Sequence, residues 1–196
     1  MYIPKHFDVT DIDEIFSFIE QHGFGQIISS LNGRLFSSHI PFLVSKDKTS
    51  LLGHLAKQNP QVEELNEQEV LITLEGPHDY ISPSWYEGSG VPTWNYQAVH
   101  VYGRCKLIQK PDHLEKIVNT LTEKYESKFE KPWQPDYKAT MLGAIIGIEV
   151  LITDIQCKYK LSQNRSEQDQ QNVIKNLKKS GSSALADAME KERFRN

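Results

Sequence analysis

Two stripes of apolar residues repeat along this chain at the spacing of an α-helix. The first lies in residues 12–19, directly after Asp11, whose carboxylate can cap a helix N-terminus, and before Gly23, a typical helix end. The second lies in residues 114–125 and follows Asp112. Each stripe predicts an amphipathic helix that packs one face against a core.

Alternating and β-branched runs predict six strands, at residues 24–31, 34–44, 50–55, 69–75, 93–108 and 145–159. Asn32-Gly33 lies between the first two and favours a two-residue type I′ hairpin. Residues 76–92 lack periodicity and are predicted to form a long ordered loop. Hairpin-linked strands with few intervening helices favour an antiparallel barrel over a doubly wound α/β sheet. The predicted class is α+β, mostly β, with peripheral helices.

The chain after the last strand has helical patterning. Ser166 precedes a third predicted helix, and Ser182 or Ser183 precedes a fourth. We therefore predict a domain at residues 1–161 and a C-terminal helical extension at residues 162–196.

Composition narrows the classes of function. The 196 residues carry a formal charge of −4, which is not typical of a constitutive nucleic-acid binder, although residues 162–196 hold seven basic and five acidic side chains. The cysteines, Cys105 and Cys157, do not form a C-x-x-C pair. The first residues do not resemble a secretory signal, and the sequence has no apolar run long enough to span a membrane. We expect a cytoplasmic protein without a membrane partner.

The strand at residues 91–103 carries unusual side chains for a core strand. Because side chains alternate along a strand, Trp94, Tyr96 and His100 share one face, while Asn95 and Gln97 share the other. Aromatic rings and amides at this density favour recognition of a flat ligand with hydrogen-bonding edges.

Polar clusters also occur at residues 37–41, 53–60, 77–86 and 158–165. The last, Lys158 to Arg165, is rich in hydrogen-bond donors suited to a phosphate or to ring carbonyl oxygens. The alternatives are an exposed strand end, a solvated turn, an aromatic loop over the end of the barrel, and a basic linker. Together the clusters favour a mononucleotide-like cofactor.

Common catalytic signatures are absent from the sequence. It contains no G-x-S-x-G elbow, Walker A loop, G-x-G-x-x-G fingerprint or H-E-x-x-H motif. No metal site is predicted, because the seven histidines are scattered.

Several segments resemble the PaiB family of FMN-binding negative transcriptional regulators. They are MYIPKHF at residues 1–7, SHIP at 38–41, GHLAKQNP at 53–60, GPHDYISPSWY at 76–86, VPTWNY at 91–96 and KLSQNR at 160–165. The resemblance covers nearly the whole chain, in order. It implies the fold of pyridoxamine-phosphate-oxidase-like proteins: a six-stranded antiparallel split β-barrel, a homodimer, and FMN at the subunit interface.

The resemblance also implies cofactor-binding residues. By analogy, the segment around Lys57 and Asn59 holds the flavin phosphate, and residues 94–97 lie beside the ring. The full set is Ser38, His39, His54, Lys57, Asn59, Thr93, Trp94, Asn95, Gln97, Lys160, Ser162, Gln163 and Arg165.

Three functions are consistent with these features. The first is a dimeric FMN-binding repressor that contacts DNA, if at all, through its basic tail helices. The second is an FMN-dependent oxidoreductase or flavin reductase, with His39, His54 and His100 as candidate proton donors. The third is a haem-binding split barrel. No catalytic residue is assigned.

Overall fold

The computed structural model describes residues 1–137 and 139–194. Its helices are α1 (Ile12–Gln21), α2 (Val62–Leu65), α3 (Pro111–Glu126), α4 (Ala139–Leu142), α5 (Glu167–Ser180) and α6 (Ser183–Arg193). Its strands are β1 (Phe24–Leu31), β2 (Arg34–Pro41), β3 (Leu43–Val44), β4 (Ser50–Ala56), β5 (Glu69–Ile81), β6 (Thr93–Ile108) and β7 (Ile145–Lys160). Short 3₁₀ turns occupy Lys5–Phe7 and Pro83–Trp85.

The strands of the described residues form one seven-stranded sheet in the order β2-β1-β5-β6-β7-β4-β3. The pairings of β1 with β2 and β5, and of β4 with β3 and β7, are antiparallel. The strands at the two ends of this order, β2 and β3, are separated in the chain by Phe42 alone. This is the connectivity of a split barrel, and the predicted mostly-β class is confirmed.

The strand count differs from the predicted six because the run at residues 34–44 changes partner. Phe24 of β1 pairs with Pro41, whereas Leu43 pairs with Leu52 of β4. Between them the backbone N–H of Phe42 donates to the carbonyl of Gly23 at 2.7 Å. One apolar run therefore supplies two strands.

The local signals in the sequence correspond to observed caps and turns. Asp11 Oδ1 accepts from the backbone N–H groups of Asp13 and Glu14 at 3.0 and 3.3 Å, which caps α1. Asn32 and Gly33 have φ angles of 51° and 73°, as a type I′ turn requires. The structure also contains α2, which the sequence pattern did not indicate.

The predicted loop at residues 76–92 is wrong in its first part, because β5 continues to Ile81. Pro77 lacks a backbone N–H and is normally excluded from strands with partners on both sides. The register of β5 with β1 covers residues 71–74, so Pro77 lies beyond it. The strand can therefore continue through the proline.

The chain divides into two compact units. The terminal unit comprises Met1–Ile15, Glu75–Val99 and the chain from Gln156 onward; the middle unit comprises Phe16–Leu74 and His100–Ile155. Fully buried strand residues such as Ile27, Ile72 and Ile148 form the core of the middle unit. In the terminal unit, α5 and α6 bury Val173 and Leu185. The domain division at residue 161 stays a prediction.

Candidate functional site

The sequence-predicted cofactor residues form two groups, one in each unit. The middle unit contains Ser38, His39, His54, Lys57 and Asn59. The terminal unit contains Thr93, Trp94, Asn95, Gln97, Lys160, Ser162, Gln163 and Arg165.

In the terminal unit, Lys160 links the end of β7 to the start of β6. Its Nζ donates to Thr93 Oγ1 at 2.6 Å and to the Trp94 carbonyl at 2.5 Å. Burial lowers the pKa of Lys160, and the positive charges of Lys158 and Arg165 lower it further. A cluster of like charges is stabilised by an anionic ligand, so this end of β7 is suited to a phosphate.

Lys158 belongs to the donor-rich cluster at residues 158–165, but it was not included in the sequence-based set of cofactor residues. It is buried, its Nζ donates to the Tyr2 carbonyl at 3.1 Å, and it lies 5.3 Å from the centroid of the Tyr96 ring. Buried lysines are rare unless their charge is stabilised. Its position two residues before Lys160 was the available signal.

Asn95 lies on the buried face of β6 and is 1% exposed. Its Nδ2 donates to Ser162 Oγ at 2.9 Å and to the sulfur of Met189 at 3.4 Å. Its Oδ1 is buried and has no hydrogen-bond partner among the described residues. A buried acceptor without a partner costs free energy, so this oxygen is suited to a ligand N–H or a water molecule.

The remaining motif residues of the terminal unit make structural contacts. Gln163 accepts from the Leu161 N–H at 2.7 Å and donates to the Tyr159 carbonyl at 2.6 Å and to Glu192 at 3.4 Å. The Arg165 guanidinium lies 4.3 Å from the centroid of the Tyr86 ring. These contacts hold the chain after β7 and connect it to α6.

Trp94 presents its ring on the opposite face of β6 from Asn95 and is 53% exposed. The rings of Tyr80 and His78 lie 6.2 and 6.5 Å from it, centroid to centroid. This exposed aromatic cluster offers a stacking surface for a planar ring. Gln97 is buried on the Asn95 face.

In the middle unit, two predicted residues belong to a network around Gln61, which is completely buried. The Ser38 hydroxyl donates to Gln61 Oε1 at 2.7 Å and accepts from Asn59 Nδ2 at 2.8 Å. Asn59 Oδ1 accepts from the Gln61 N–H at 3.0 Å, and Gln61 Nε2 donates to Ser29 Oγ at 2.8 Å. Gln61 follows the GHLAKQNP motif directly, but no sequence signal distinguished it from a surface glutamine.

The other three residues of this group are more available. His54 is partly buried, its Nδ1 lacks a hydrogen-bond partner within the described chain, and burial lowers its pKa. The Lys57 side chain is exposed, although its backbone N–H already donates to the Ala144 carbonyl at 2.9 Å. The His39 ring lies 6.4 Å from that of Phe24.

The described residues contain no cluster of His, Cys, Asp and Glu side chains that could hold a metal ion. In the same part of the chain, no helix is long and apolar enough to cross a membrane.

Comparison of the sequence with known proteins shows the family of this chain. Residues 1–154 match the family described as "Putative FMN-binding domain". The Protease synthase and sporulation protein PAI 2 of Bacillus subtilis is 41% identical over 185 residues, which cover 90% of this chain and 89% of that protein. This chain belongs to the PaiB family.

Two other matches extend the comparison. An uncharacterised protein of Emericella nidulans is 30% identical over an alignment that covers 94% of this chain and 93% of its own. The structure of the flavocytochrome Anf3 from Azotobacter vinelandii superposes with a TM-score of 0.67 at 15% identity, covering 86% of this chain and 77% of that one. At that identity the likeness concerns the fold alone.

FMN, the predicted cofactor of this PaiB-family chain, is confirmed by the family match. The residues present fit this group. Lys160 and its neighbouring cations suit the phosphate, and the exposed Trp94 cluster suits a planar ring. Asn95 lies on the opposite, buried face of β6, so its Oδ1 atom is suited to a buried water molecule. When bound, FMN supplies a redox-active isoalloxazine ring.

Proposed function

We propose that this protein is a cytoplasmic, homodimeric, FMN-binding negative regulator of transcription. Membership of the PaiB family supports the proposal, as does the 41% identity to a Bacillus subtilis protein named for protease synthesis and sporulation. In this proposal the flavin lies at the subunit interface, and its occupancy changes the activity of the regulator.

The observation that best supports flavin binding is the concentration of positive charge in the terminal unit. Lys158, Lys160 and Arg165 concentrate positive charge, and the pKa of Lys160 is lowered first by burial and then by the positive charges of the other two. A dianionic phosphate would stabilise this charge through charge-assisted hydrogen bonds. We assign Lys160 to the phosphate and the exposed Trp94 ring to a stacking contact with the flavin.

The exposed aromatic cluster supports the homodimer. Trp94 and Tyr80 are 53% and 41% exposed, and Tyr2 is 82% exposed, all within the terminal unit. Large exposed aromatic side chains are enriched at protein interfaces. A second copy of the chain would cover these rings and exclude water from one side of the flavin.

The tail helices are the proposed DNA contact. Lys178 of α5 pairs with Glu190 at 2.7 Å, and Lys191 of α6 with Glu14 at 3.0 Å. Lys175 and Lys179 make no ion pair with any described residue, so their charges remain available for phosphates. Two-fold symmetry would double this surface.

The decisive experiment combines the visible absorption spectrum of the purified protein with its mass in solution. The spectrum is recorded before and after FMN is added and the excess removed. A flavin spectrum retained by a dimer supports the proposal. A monomer that does not take up FMN contradicts it.

Repression is tested separately, by electrophoretic mobility shift with DNA from the region upstream of its own gene at several salt concentrations. We expect binding that weakens as salt rises, because phosphate contacts release counterions. Absence of salt-sensitive binding with both apo and FMN-loaded protein would exclude a direct role on that DNA.

His54 favours a second candidate function, an FMN-dependent oxidoreductase. Burial keeps this imidazole neutral at pH 7, and its Nδ1 has no hydrogen-bond partner in the described part of the chain. A neutral imidazole can exchange a proton with a substrate or a reduced flavin. NAD(P)H oxidation that requires added FMN and decreases in His54→Gln would support this activity.

A further inference from the structure

The middle unit contains a cavity of about 540 Å³ that belongs to neither group of predicted flavin residues. It lies between α3, the β3–β4 hairpin and β7, and its volume is within the range of roughly 300–1,000 Å³ typical of small-molecule sites. A cavity of this size accommodates an organic molecule rather than a single ion.

Its inner wall is apolar. Leu43 and Ile117 are buried core residues, and the partly buried Leu52 and Ile108 pack against them. All four line the cavity. An apolar tail placed here would remove further hydrocarbon surface from water, which favours binding.

Three basic side chains from two different elements line the same cavity. Lys46 comes from the β3–β4 turn, while His113 and Lys116 come from α3. The two α3 residues are three positions apart and therefore lie on one face of the helix. All three are exposed, and no described residue accepts a hydrogen bond from their side chains.

The two carboxylates that line the cavity are already hydrogen-bonded. Asp47 Oδ1 accepts from Ser45 Oγ at 2.7 Å and Thr49 Oγ1 at 2.8 Å, and these bonds lower its pKa. Glu149 Oε1 accepts from Ser50 Oγ at 3.0 Å. Both carboxylates keep their negative charge, so the lining carries charges of both signs. An anionic head group is favoured by the unused hydrogen-bond donors of Lys46 and Lys116, since Asp47 Oδ1 and Glu149 Oε1 already accept hydrogen bonds.

The cavity is also distant from the segment around Lys57 and Asn59, which the family resemblance implies in flavin binding. Ser50 lines the cavity at the start of β4, and Lys57 follows the end of that strand. Leu52, the cavity-lining residue of β4 that is nearest to Lys57 in sequence, is five residues from it, which corresponds to roughly 17 Å of extended chain at about 3.3 Å per residue. A ligand in the cavity would leave the Lys57 segment free.

We propose that this cavity binds a small organic anion with an apolar tail, such as a medium-chain carboxylate. The tail lies against Leu52 and Ile117, and the carboxylate accepts hydrogen bonds from Lys46 and Lys116. The proposal is independent of whether the protein regulates transcription.

The test uses three probes that share one tail and differ in head group: octanoate, octan-1-ol and octylammonium. Isothermal titration calorimetry measures each Kd for the full-length protein, with and without saturating FMN. We expect octanoate to bind most tightly and octylammonium most weakly, and we expect FMN to leave the octanoate Kd unchanged. Equal or tighter binding of octylammonium would overturn the anion assignment, and displacement by FMN would overturn the separate site.

Variants locate the site. Lys116→Gln is expected to weaken octanoate binding about tenfold, with little effect on octan-1-ol, because it removes one charge-assisted hydrogen bond. Lys131→Gln, an exposed control outside the cavity, is expected to leave the Kd values of octanoate and octan-1-ol unchanged. Leu52→Phe narrows the cavity and should weaken both ligands. Equal effects of the two lysine variants, or no effect of Leu52→Phe, would refute binding in this cavity.

Discussion

Replacing Lys160 with methionine separates cofactor binding from folding. Methionine retains most of the apolar stem but removes the ammonium group, which donates to Thr93 Oγ1 at 2.6 Å and to the Trp94 carbonyl at 2.5 Å. It also removes one of three neighbouring positive charges, the others being Lys158 and Arg165. The two effects on the free energy of unfolding oppose each other.

The expected magnitudes follow from these contacts. A hydrogen bond to a charged group contributes about 1.5–3 kcal/mol, so losing the Lys160–phosphate bond should weaken FMN binding roughly 10- to 150-fold. Without FMN, the loss of two hydrogen bonds at a half-buried position is partly offset by reduced repulsion between like charges. These two bonds go to neutral oxygens, and at about 0.5–1.5 kcal/mol each their loss should lower the free energy of unfolding of the apoprotein by less than about 3 kcal/mol.

FMN affinity is measured by the quenching of flavin fluorescence on titration with protein, and apoprotein stability by urea unfolding. Lys5→Met, an exposed position in the same unit, is the matched control. If Lys160→Met binds FMN within about twofold of the parent chain, the phosphate assignment is wrong. A loss of several kcal/mol in the apoprotein would show that Lys160 is structural.

Because the pKa of Lys160 is lowered, both the stability of the apoprotein and its affinity for FMN should depend on pH. In the unfolded chain this lysine has its ordinary pKa, so between the two values the unfolded state binds more protons. The contribution of Lys160 to apoprotein stability therefore rises with pH across that interval. FMN affinity falls over the same interval, because the ammonium group loses its charge. A pH profile of Lys160→Met with the same fall in affinity would contradict this account.

Three further predictions concern buried groups. Gln61→Ala should lower the free energy of unfolding by about 2–4 kcal/mol, because it leaves buried partners without hydrogen bonds; urea unfolding checks this against the exposed control Gln58→Ala, and equal losses would refute it. Burial lowers the pKa of His54, so the contribution of this residue to stability is lost as pH falls below about 6.5, the value in the unfolded chain. His54→Gln should make the free energy of unfolding less dependent on pH in this range, and an unchanged pH profile would contradict the prediction. Burial raises the pKa of the Cys105 thiol to about 12, so iodoacetamide at pH 8 should modify this cysteine only after the protein unfolds. Peptide mass spectrometry measures the modification, and rapid labelling of Cys105 in the folded protein would disprove the prediction.

The elements that the sequence predicts well depend on interactions within a few residues. The helix capped by Asp11 and the hairpin at Asn32-Gly33 are both present, because cap and turn preferences act locally. The predicted strand at residues 93–108 has the observed bounds, since it alternates and contains no proline. The errors in the strands, at Phe42 and Pro77, both concern which strand lies alongside another.

The candidate site shows the same division. The sequence placed polar and aromatic side chains on opposite faces of β6, and the structure has Asn95 buried and Trp94 exposed. The sequence did not indicate that the Ser38 hydroxyl would be hydrogen-bonded to both Gln61 and Asn59, or that Gln163 would contact α6. Whether these motif residues hold FMN as well stays a prediction.

The sequence by itself therefore determined the family, the cofactor, the class of fold and most of its helices and strands. Periodicity, capping and turn chemistry act over a few residues, and motifs identify relatives directly. Only the tertiary structure decided which polar groups already have partners and which, such as Asn95 Oδ1, do not. Hydrogen bonds and desolvation depend on atoms that are distant in the chain: Asn95 contacts Met189, and Lys158 contacts Tyr2. That physical separation is why the free donors and acceptors of the site emerged only from the folded chain.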